Sequence, residues 1–201
     1  MRRRKMFLTV QMMILLCLLC ACGGKGNDPI QAAMDFRTAL LAHGGCGFEL
    51  EAQAETEAGV WALRLDCTLD PAGNGTVTVL APDSIAGITA RTTDGGPSLR
   101  YEDLALGLGL LPGTELAPAA APGRLVRAWG QDWIASAGRE EGALLFCCQD
   151  GDLEVRTWLG ADGLPLRAEL LQQGRSCFSG TINNFQWKAV EQHETTEEDL
   201  G

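Results

Sequence analysis

Alternating apolar and polar side chains over residues 48–69 constrain the fold of this chain more than any other feature. From Phe48 to Ala54 every second residue is apolar, and the residues between are Glu or Gln. From Trp61 to Leu69 large apolar residues again take every second position. In a strand, this period places one set of side chains on a dry face and the other on a wet face. The two runs flank a short glycine-containing segment, so they predict a β-hairpin.

Turn-rich sequences divide the rest of the chain into further short strands. After the turn cluster "DPAGNG", a third strand is predicted over "TVTVLAP" and a fourth over "IAGITART". The C-terminal half shows closely spaced turns, which is typical of an antiparallel meander. Its predicted strands are 132–137, 142–149, 152–159, 164–172 and 175–187.

Two helices are predicted, one before and one after the first four strands in the sequence. The segment Asn27-Asp28-Pro29 offers a capping side chain and a proline for the first turn, and apolar residues follow at helical spacing until "HGGCG". We therefore predict a helix over 29–42. Residues 98–123 begin like a strand and then become rich in Gly, Leu and Pro, which favours a short apolar loop or helix. A short amphipathic helix is expected over 122–129, and Gly130 leaves its continuation open.

These elements predict an α+β fold built on one strongly curved antiparallel sheet. Only two or three helices are present to cover one face of about nine strands. The economical arrangement is a half-open, incomplete β-barrel, with the N-terminal helix and short helices lying across its concave face. A barrel of this size can hold an apolar ligand.

The N-terminus has the layout of an export signal. Residues 2–5 are basic, residues 6–22 are mostly apolar, and two glycines follow. The apolar run is shorter than the roughly 20 residues of a membrane-spanning helix, which remains the alternative interpretation.

The end of this segment resembles the lipobox of bacterial lipoproteins. Cys17 and Cys20 each follow a leucine, whereas Cys22 follows the small residue Ala21. The resemblance implies a covalent diacylglycerol on Cys22, cleavage before it, and an extracytoplasmic protein anchored to the membrane by lipid. The alternative is that all three cysteines are simply small apolar residues of the signal peptide. Two or more acyl chains are needed for stable anchoring.

These boundaries predict the domain organisation. Residues 1–21 form the lipoprotein signal peptide, 22–28 the lipidated cysteine and its tether, 29–188 the folded domain, and 189–201 an acidic, disordered tail. The formal charge of −10 becomes about −14 without the four basic residues of the signal. Such an acidic chain is expected to avoid nucleic acid.

The five cysteines after Cys22 permit disulfides in an exported protein, and their odd number leaves at least one without a partner in the same chain. We predict that one of Cys147 and Cys148 pairs with Cys177, and we assign the pair to Cys148. Neighbouring strand residues point to opposite faces, so a vicinal disulfide between Cys147 and Cys148 is the less favoured alternative.

No catalytic motif stands out, so we expect a protein that is not an enzyme. The two histidines, His43 and His193, lie at a helix end and in the tail, and "GRSCFSG" lacks the spacing of a serine nucleophile motif. No phosphate-binding glycine loop or metal-ligand spacing is present, so no cofactor is expected beyond the diacylglycerol on Cys22. Among five tryptophans, Trp129 and Trp133 follow the Pro-rich insertion and are the predicted ligand-binding residues.

The order of elements resembles the LolA/LolB/RseB-like superfamily of lipoprotein-localisation factors, particularly small lipid-anchored members of Gram-positive spore formers. The likeness covers about residues 29–188, and the segments that carry it are "DPIQAAMDFRTALL", "FELEAQAETEAGVWALRLDCTL", "VTVLAPDSIAGITAR" with "LRYEDLALGL", and "GDLEVRTWLGADGLPLRAELLQQGRSCFSGTINNFQW".

The resemblance implies a half-barrel whose cavity holds an apolar ligand or a lipoprotein acyl chain. The alternative is a non-enzymatic scaffold for a cell-envelope enzyme, as for germination-type lipoproteins that support a cell-wall amidase. Residues 104–130 discriminate between these two functions, because a segment packed into the barrel leaves less room for a ligand.

Overall fold

The computed structural model of this protein describes residues 28–56, 59–93, 96–101, 104–107 and 120–189. The predicted signal peptide, the Cys22 anchor, most of its tether and most of the acidic tail lie outside these ranges. The described residues form two helices and eleven strands: α1 Pro29–Ala42, β1 Cys46–Thr56, β2 Gly59–Leu69, β3 Gly75–Ala81, β4 Thr89–Thr93, β5 Gly96–Tyr101, β6 Leu104–Gly107, α2 Ala121–Gln131, β7 Trp133–Glu140, β8 Ala143–Asp150, β9 Leu153–Leu159, β10 Pro165–Gln172 and β11 Arg175–Trp187.

Helix α1 begins and ends where the sequence predicts. The Ile30 N–H donates to Asp28 Oδ1 at 3.0 Å, which caps the first turn beside Pro29. Gly44, with φ of +64°, follows the last turn in the left-handed conformation that ends many helices. The helix buries Ala33, Phe36 and Leu40 on one side.

All eleven strands belong to one antiparallel sheet of order β6-β5-β4-β3-β2-β1-β11-β10-β9-β8-β7. The C-terminal meander runs from β7 at one edge of the sheet to β11, and β11 pairs with β1 of the N-terminal half. Strands β6 and β7 are the edges of the described sheet, so it is open rather than closed. The predicted fold class is therefore confirmed.

The N-terminal half of the sheet has two more strands than expected. The predicted insertion over 98–123, which begins like a strand, starts with β5 Gly96–Tyr101 and continues with β6 Leu104–Gly107. The fourth strand begins at Thr89 rather than Ile85, because residues 82–88 make a turn in which the Gly87 N–H donates to the Val79 carbonyl at 2.9 Å.

Helix α2 continues through Gly130 to Gln131. A Cβ at Gly130 would lie 2.4 Å from the Pro71 carbonyl oxygen, and one at Gly123 would lie 2.8 Å from the Gly73 carbonyl oxygen. Gly130 is two helical turns after Gly123, so both lie on one side of α2. Glycine at both positions allows α2 to lie directly against the turn between β2 and β3.

The sheet curves around α2. This helix packs against β2, β8 and β10. Five strand spacings separate β2 from β8, about 24 Å in a flat sheet, whereas a helix is only about 10 Å wide. The concave face therefore encloses the helix. A single hydrophobic cluster joins α1, α2 and the seven strands β3, β2, β1, β11, β10, β9 and β8, which are neighbours in the sheet.

Candidate functional site

The concave face is the candidate site, and the two helices occupy one end of it. An aromatic cluster fills this end: Phe36 from α1 contacts the Trp129 ring edge-on at 5.5 Å and the Phe146 ring at 5.9 Å. Phe48 of β1 lies 6.0 Å from Trp129. Edge-on and tilted pairs at these distances are favourable beyond the area that they bury. The helices thus supply the core at this end.

Trp129 is a core residue in this structure. Its side chain has no solvent-exposed surface, and its Nε1–H donates to Thr157 Oγ1 at 2.7 Å. Thr157 is itself completely buried on β9. The two polar groups satisfy each other, which removes the cost of burying either alone. Trp129 therefore joins α2 to the sheet and presents no surface to a ligand.

Arg37 holds the C-terminal end of α2 in place. Its Nε–H donates to the Trp129 carbonyl at 2.6 Å, and its Nη2 donates to the Asp132 carbonyl at 2.6 Å. A guanidinium also complements the negative end of the helix dipole. Arg124 adds a second connection, because its Nη2 contacts Asp132 Oδ2 at 3.0 Å and Asp150 Oδ2 at 2.8 Å.

Trp133 lies in a different environment from Trp129. It begins the edge strand β7 and is 75% exposed. Its neighbour Ile134 packs against the core, so Trp133 points to the other face of the strand. The structure therefore does not bring the two predicted ligand-binding tryptophans together on the concave face.

A third tryptophan occupies the end of the concave face that lies farther from the β2–β3 turn. Trp61 shares a strand face with the buried Leu63 and Leu65, and its register partner Ala54 is also buried. Trp61 is nevertheless 44% exposed. Pairing with β3 starts only at Arg64, so this part of β2 extends beyond its neighbour. The alternation predicts that Trp61 points inward, but only the sheet register shows that it remains accessible.

Apolar side chains continue from Trp61 across the neighbouring strands. Val79 pairs with Leu65, and its N–H donates to the Ile88 carbonyl at 2.8 Å. Ala90 pairs with Val77, and both Ile88 and Ala90 are partly buried against the core. We call the following set the concave strip: Trp61, Leu63, Val79, Ile88 and Ala90.

The five described cysteines are free thiols. The predicted pair of Cys148 with Cys177 is wrong in this structure, because β8 and β11 are separated by β9 and β10. Three strand spacings amount to about 14 Å, well beyond the Cα separation that a disulfide spans. Cys148 is buried on the concave side, whereas the Cys177 thiol donates to the Leu170 carbonyl at 3.2 Å.

Burial controls the chemistry of these thiols. It raises the pKa of Cys46 and of Cys148 to about 12, and it also raises the pKa of Cys67. The half-buried Cys147 and Cys177 also have a raised pKa, chiefly because of desolvation. A thiolate is the reactive form, so none of these residues has the environment of a nucleophile.

His43 has a packing role. Its ring stacks on Trp187 with centroids 5.4 Å apart. Within the described ranges, no three His, Cys, Asp or Glu side chains are grouped as they would be around a metal ion. Neither described helix is long and apolar enough to cross a membrane.

Comparison with known proteins yields similar solved structures only. No protein family matches the sequence, and no curated protein matches it. An uncharacterized conserved protein from Thermus thermophilus aligns with TM-score 0.43 and 14% identity, over 79% of this chain and 88% of that one. A LolA superfamily protein from Nitrosomonas europaea aligns with TM-score 0.35 and 10% identity, over 75% and 91%. The Mycobacterium tuberculosis lipoprotein LppX aligns with TM-score 0.38 and 12% identity, over 78% and 92%. Each is a likeness only, so the function of this chain has to be inferred from its own residues.

Proposed function

We propose that this protein is a lipid-anchored extracytoplasmic binding protein that holds an apolar ligand, such as a lipoprotein acyl chain, on the concave strip. The observation that carries the proposal is Trp61, a large aromatic side chain that stays 44% exposed on an otherwise apolar, inward-facing surface. Ligand sites are concave and mostly apolar, with aromatic side chains in their walls. Trp61 and the strip beside it have this character.

The position of the helices supports this location for the ligand. Helix α2 buries seven residues, including Leu125, Val126 and Trp129, where it packs between β2 and β8. That end of the curved sheet is therefore filled by the protein itself. An acyl chain would instead lie beside Trp61, along strands β2 to β4.

The proposed role is binding rather than catalysis, with no cofactor other than the diacylglycerol expected on Cys22. Burial keeps the described Cys46 and Cys148 thiols in the neutral form by raising their pKa, which supports a binding role. The lipid on Cys22 would keep the binding domain at the outer face of a membrane, where apolar chains are present.

A scaffold for a cell-envelope enzyme is the second candidate. The filled end of the concave face favours it, and so does Trp133, which is 75% exposed on β7, an edge strand of the described sheet. Tryptophan is among the residues that carry most binding energy at protein interfaces. Retention of an envelope protein by the wild type and not by Trp133→Ala would support this function.

Native mass spectrometry of a soluble chain starting at Gly23 tests the binding proposal. The protein is purified without detergent from a host that contains membranes, and bound mass is released with organic solvent. We expect a co-purifying mass in the range of a lipid. Trp61→Ala should reduce lipid uptake about tenfold, because covering the exposed part of this side chain contributes about 1.4 kcal/mol. Trp133→Ala is the matched control and should bind as the wild type does.

A second pair of variants tests the position of the ligand. Ala90→Phe adds a ring on the concave strip and should block uptake, whereas Ala62→Phe adds the same ring on the exposed, opposite face of β2. A bare protein mass with no uptake of added phospholipid, or equal effects of the two substitutions, would contradict the proposal.

A further inference from the structure

Helix α1 carries a second apolar surface that the core does not use. Ile30, Met34 and Leu41 are all exposed, although each is a large hydrophobic residue. At about 100° per residue, positions four and eleven places after Ile30 fall within about 40° of it around the helix axis. The three side chains therefore lie on one face of α1, with Arg37 between Met34 and Leu41, and we call the three the α1 stripe.

The α1 stripe is separate from the buried side of the helix and from its polar side. The core contacts come from Ala33, Phe36 and Leu40. On the polar side, Gln31 Nε2 donates to Asp35 Oδ1 at 2.9 Å. The stripe lies between these two sides, so it is an additional apolar surface rather than an extension of the core.

We propose that the α1 stripe rests on the phospholipid bilayer that holds the lipid anchor, an inference that depends on the proposed acylation of Cys22. Six residues, 23–28, link Cys22 to the start of α1, and a chain of that length spans at most about 20 Å. The anchor thus keeps the start of α1 close to the lipid headgroups. A helix of 14 residues is about 21 Å long, so the stripe can lie along the membrane surface.

The charges of α1 identify the kind of contact. Its exposed charged residue is Asp35, its cap is Asp28, and its single basic residue, Arg37, is bonded to carbonyl groups of α2 and the residue before β7. The mature chain carries about −14. Anionic headgroups would repel such a surface. The contact is therefore insertion of apolar side chains at the headgroup boundary, and it should weaken as anionic lipid is added.

Met34 provides a native probe of this contact. The sequence has five methionines, and four of them lie within residues 1–21, so Met34 is the single methionine of the mature chain. The acylated protein is prepared with ¹³C-methyl methionine in phosphatidylcholine nanodiscs that contain acyl-chain doxyl lipid. The Leu166→Met variant adds a second methyl group of matched exposure, since Leu166 is 48% and Met34 43% exposed. Leu166 lies on β10, two strands away from β8 and three from the edge strand β7.

We expect the doxyl lipid to broaden the Met34 methyl signal several-fold more than the signal introduced by Leu166→Met. Replacing half of the phosphatidylcholine with phosphatidylglycerol should reduce this difference. Equal broadening of both signals, or broadening of neither, would overturn the inference and leave a second copy or a protein partner to cover the stripe.

A charge variant gives an independent test. Met34→Glu removes the probe, so contact is then followed by flotation of the soluble chain starting at Gly23 with phosphatidylcholine vesicles. Met34→Glu should lower the floated fraction several-fold, whereas Gln31→Glu, on the polar side of α1, should leave it unchanged. Mass spectrometry that shows an unmodified Cys22 would overturn this inference with its premise, while ligand uptake by the soluble chain would remain a separate result.

Discussion

Replacing Gly130 with alanine should destabilise the protein, although the same change stabilises most helices. In a helix interior, alanine is favoured over glycine by about 1 kcal/mol. Here the new Cβ would lie 2.4 Å from the Pro71 carbonyl oxygen and 3.2 Å from the Pro71 Cβ. Ordinary contacts begin near 3.4 Å, so α2 would have to move by about 1 Å away from the β2–β3 turn.

The expected loss follows from what that movement disturbs. Overpacking of this kind costs roughly 1–3 kcal/mol. Moving α2 also strains the buried hydrogen bond from Trp129 to Thr157, now 2.7 Å long, and such a bond contributes about 1 kcal/mol. After the helix-propensity gain is subtracted, we expect Gly130→Ala to lower the free energy of unfolding by about 2 kcal/mol. With a typical urea dependence, the midpoint would fall by about 1 M.

Urea denaturation followed by tryptophan fluorescence measures this shift. Gly138→Ala is the matched control, because its Cβ would meet no atom within 4 Å. That variant should be unchanged or slightly more stable. If Gly130→Ala raises the midpoint as far as helix propensity alone predicts, α2 does not lie against the turn, and the helix does not fill that end of the concave face.

Three further predictions concern the groups that hold α2 and the buried thiols. Arg37→Met should lower the free energy of unfolding by about 2–4 kcal/mol, because carbonyls at the end of α2 lose a charged donor, and Arg37→Lys should recover part of the loss in urea titrations. Trp129→Phe should cost about 2 kcal/mol by leaving the Thr157 hydroxyl unpaired, and adding Thr157→Val should recover part of it; an additive double mutant would refute the coupling. Cys46 and Cys148 have a folded-state pKa of about 12, so the unfolded chain loses these thiol protons at lower pH than the folded chain does. The free energy of unfolding should therefore be constant below about pH 8. It should fall as the pH rises from about 9 toward 12, by about 1.4 kcal/mol per thiol and pH unit. A urea midpoint that is the same at pH 8 and pH 10 would contradict that burial.

Local sequence signals predicted most of the secondary structure. Helix α1 and strands β1, β2 and β7 to β11 lie within a few residues of their predicted bounds, because caps, turns and alternation are local. The continuation of α2 through Gly130 was not predicted. By helix propensity alone, a glycine at position 130 predicts that the helix ends there. The structure needs glycine at this position because the Pro71 carbonyl, 59 positions earlier in the sequence, lies too close for a Cβ.

The site residues depended on sheet order, which local signals do not carry. Nothing in the residue type distinguishes Trp129, which is fully buried, from Trp133, which is 75% exposed four positions later. The Cys148–Cys177 pair failed for the same reason, since meander strands that are close in sequence can still have two strands between them. Trp61 was placed on the inward face by alternation, but its exposure follows from where β3 starts to pair with β2.

The register of β2 is the step that connects the fold to the proposed function. At its C-terminal end, the turn after Leu69 lies against α2, whose glycines bring the backbones into contact. At its N-terminal end, residues 59–63 extend past β3, and Trp61 lies eight residues, or about 26 Å, from Leu69. One strand therefore contributes both to the filled core and, through the exposed Trp61, to the concave strip. Extra bulk at Ala90 should act on ligand uptake with little effect on α2, whereas Gly130→Ala should act on stability first. Finding both effects in the same variant would show that the two ends of the concave face are not independent.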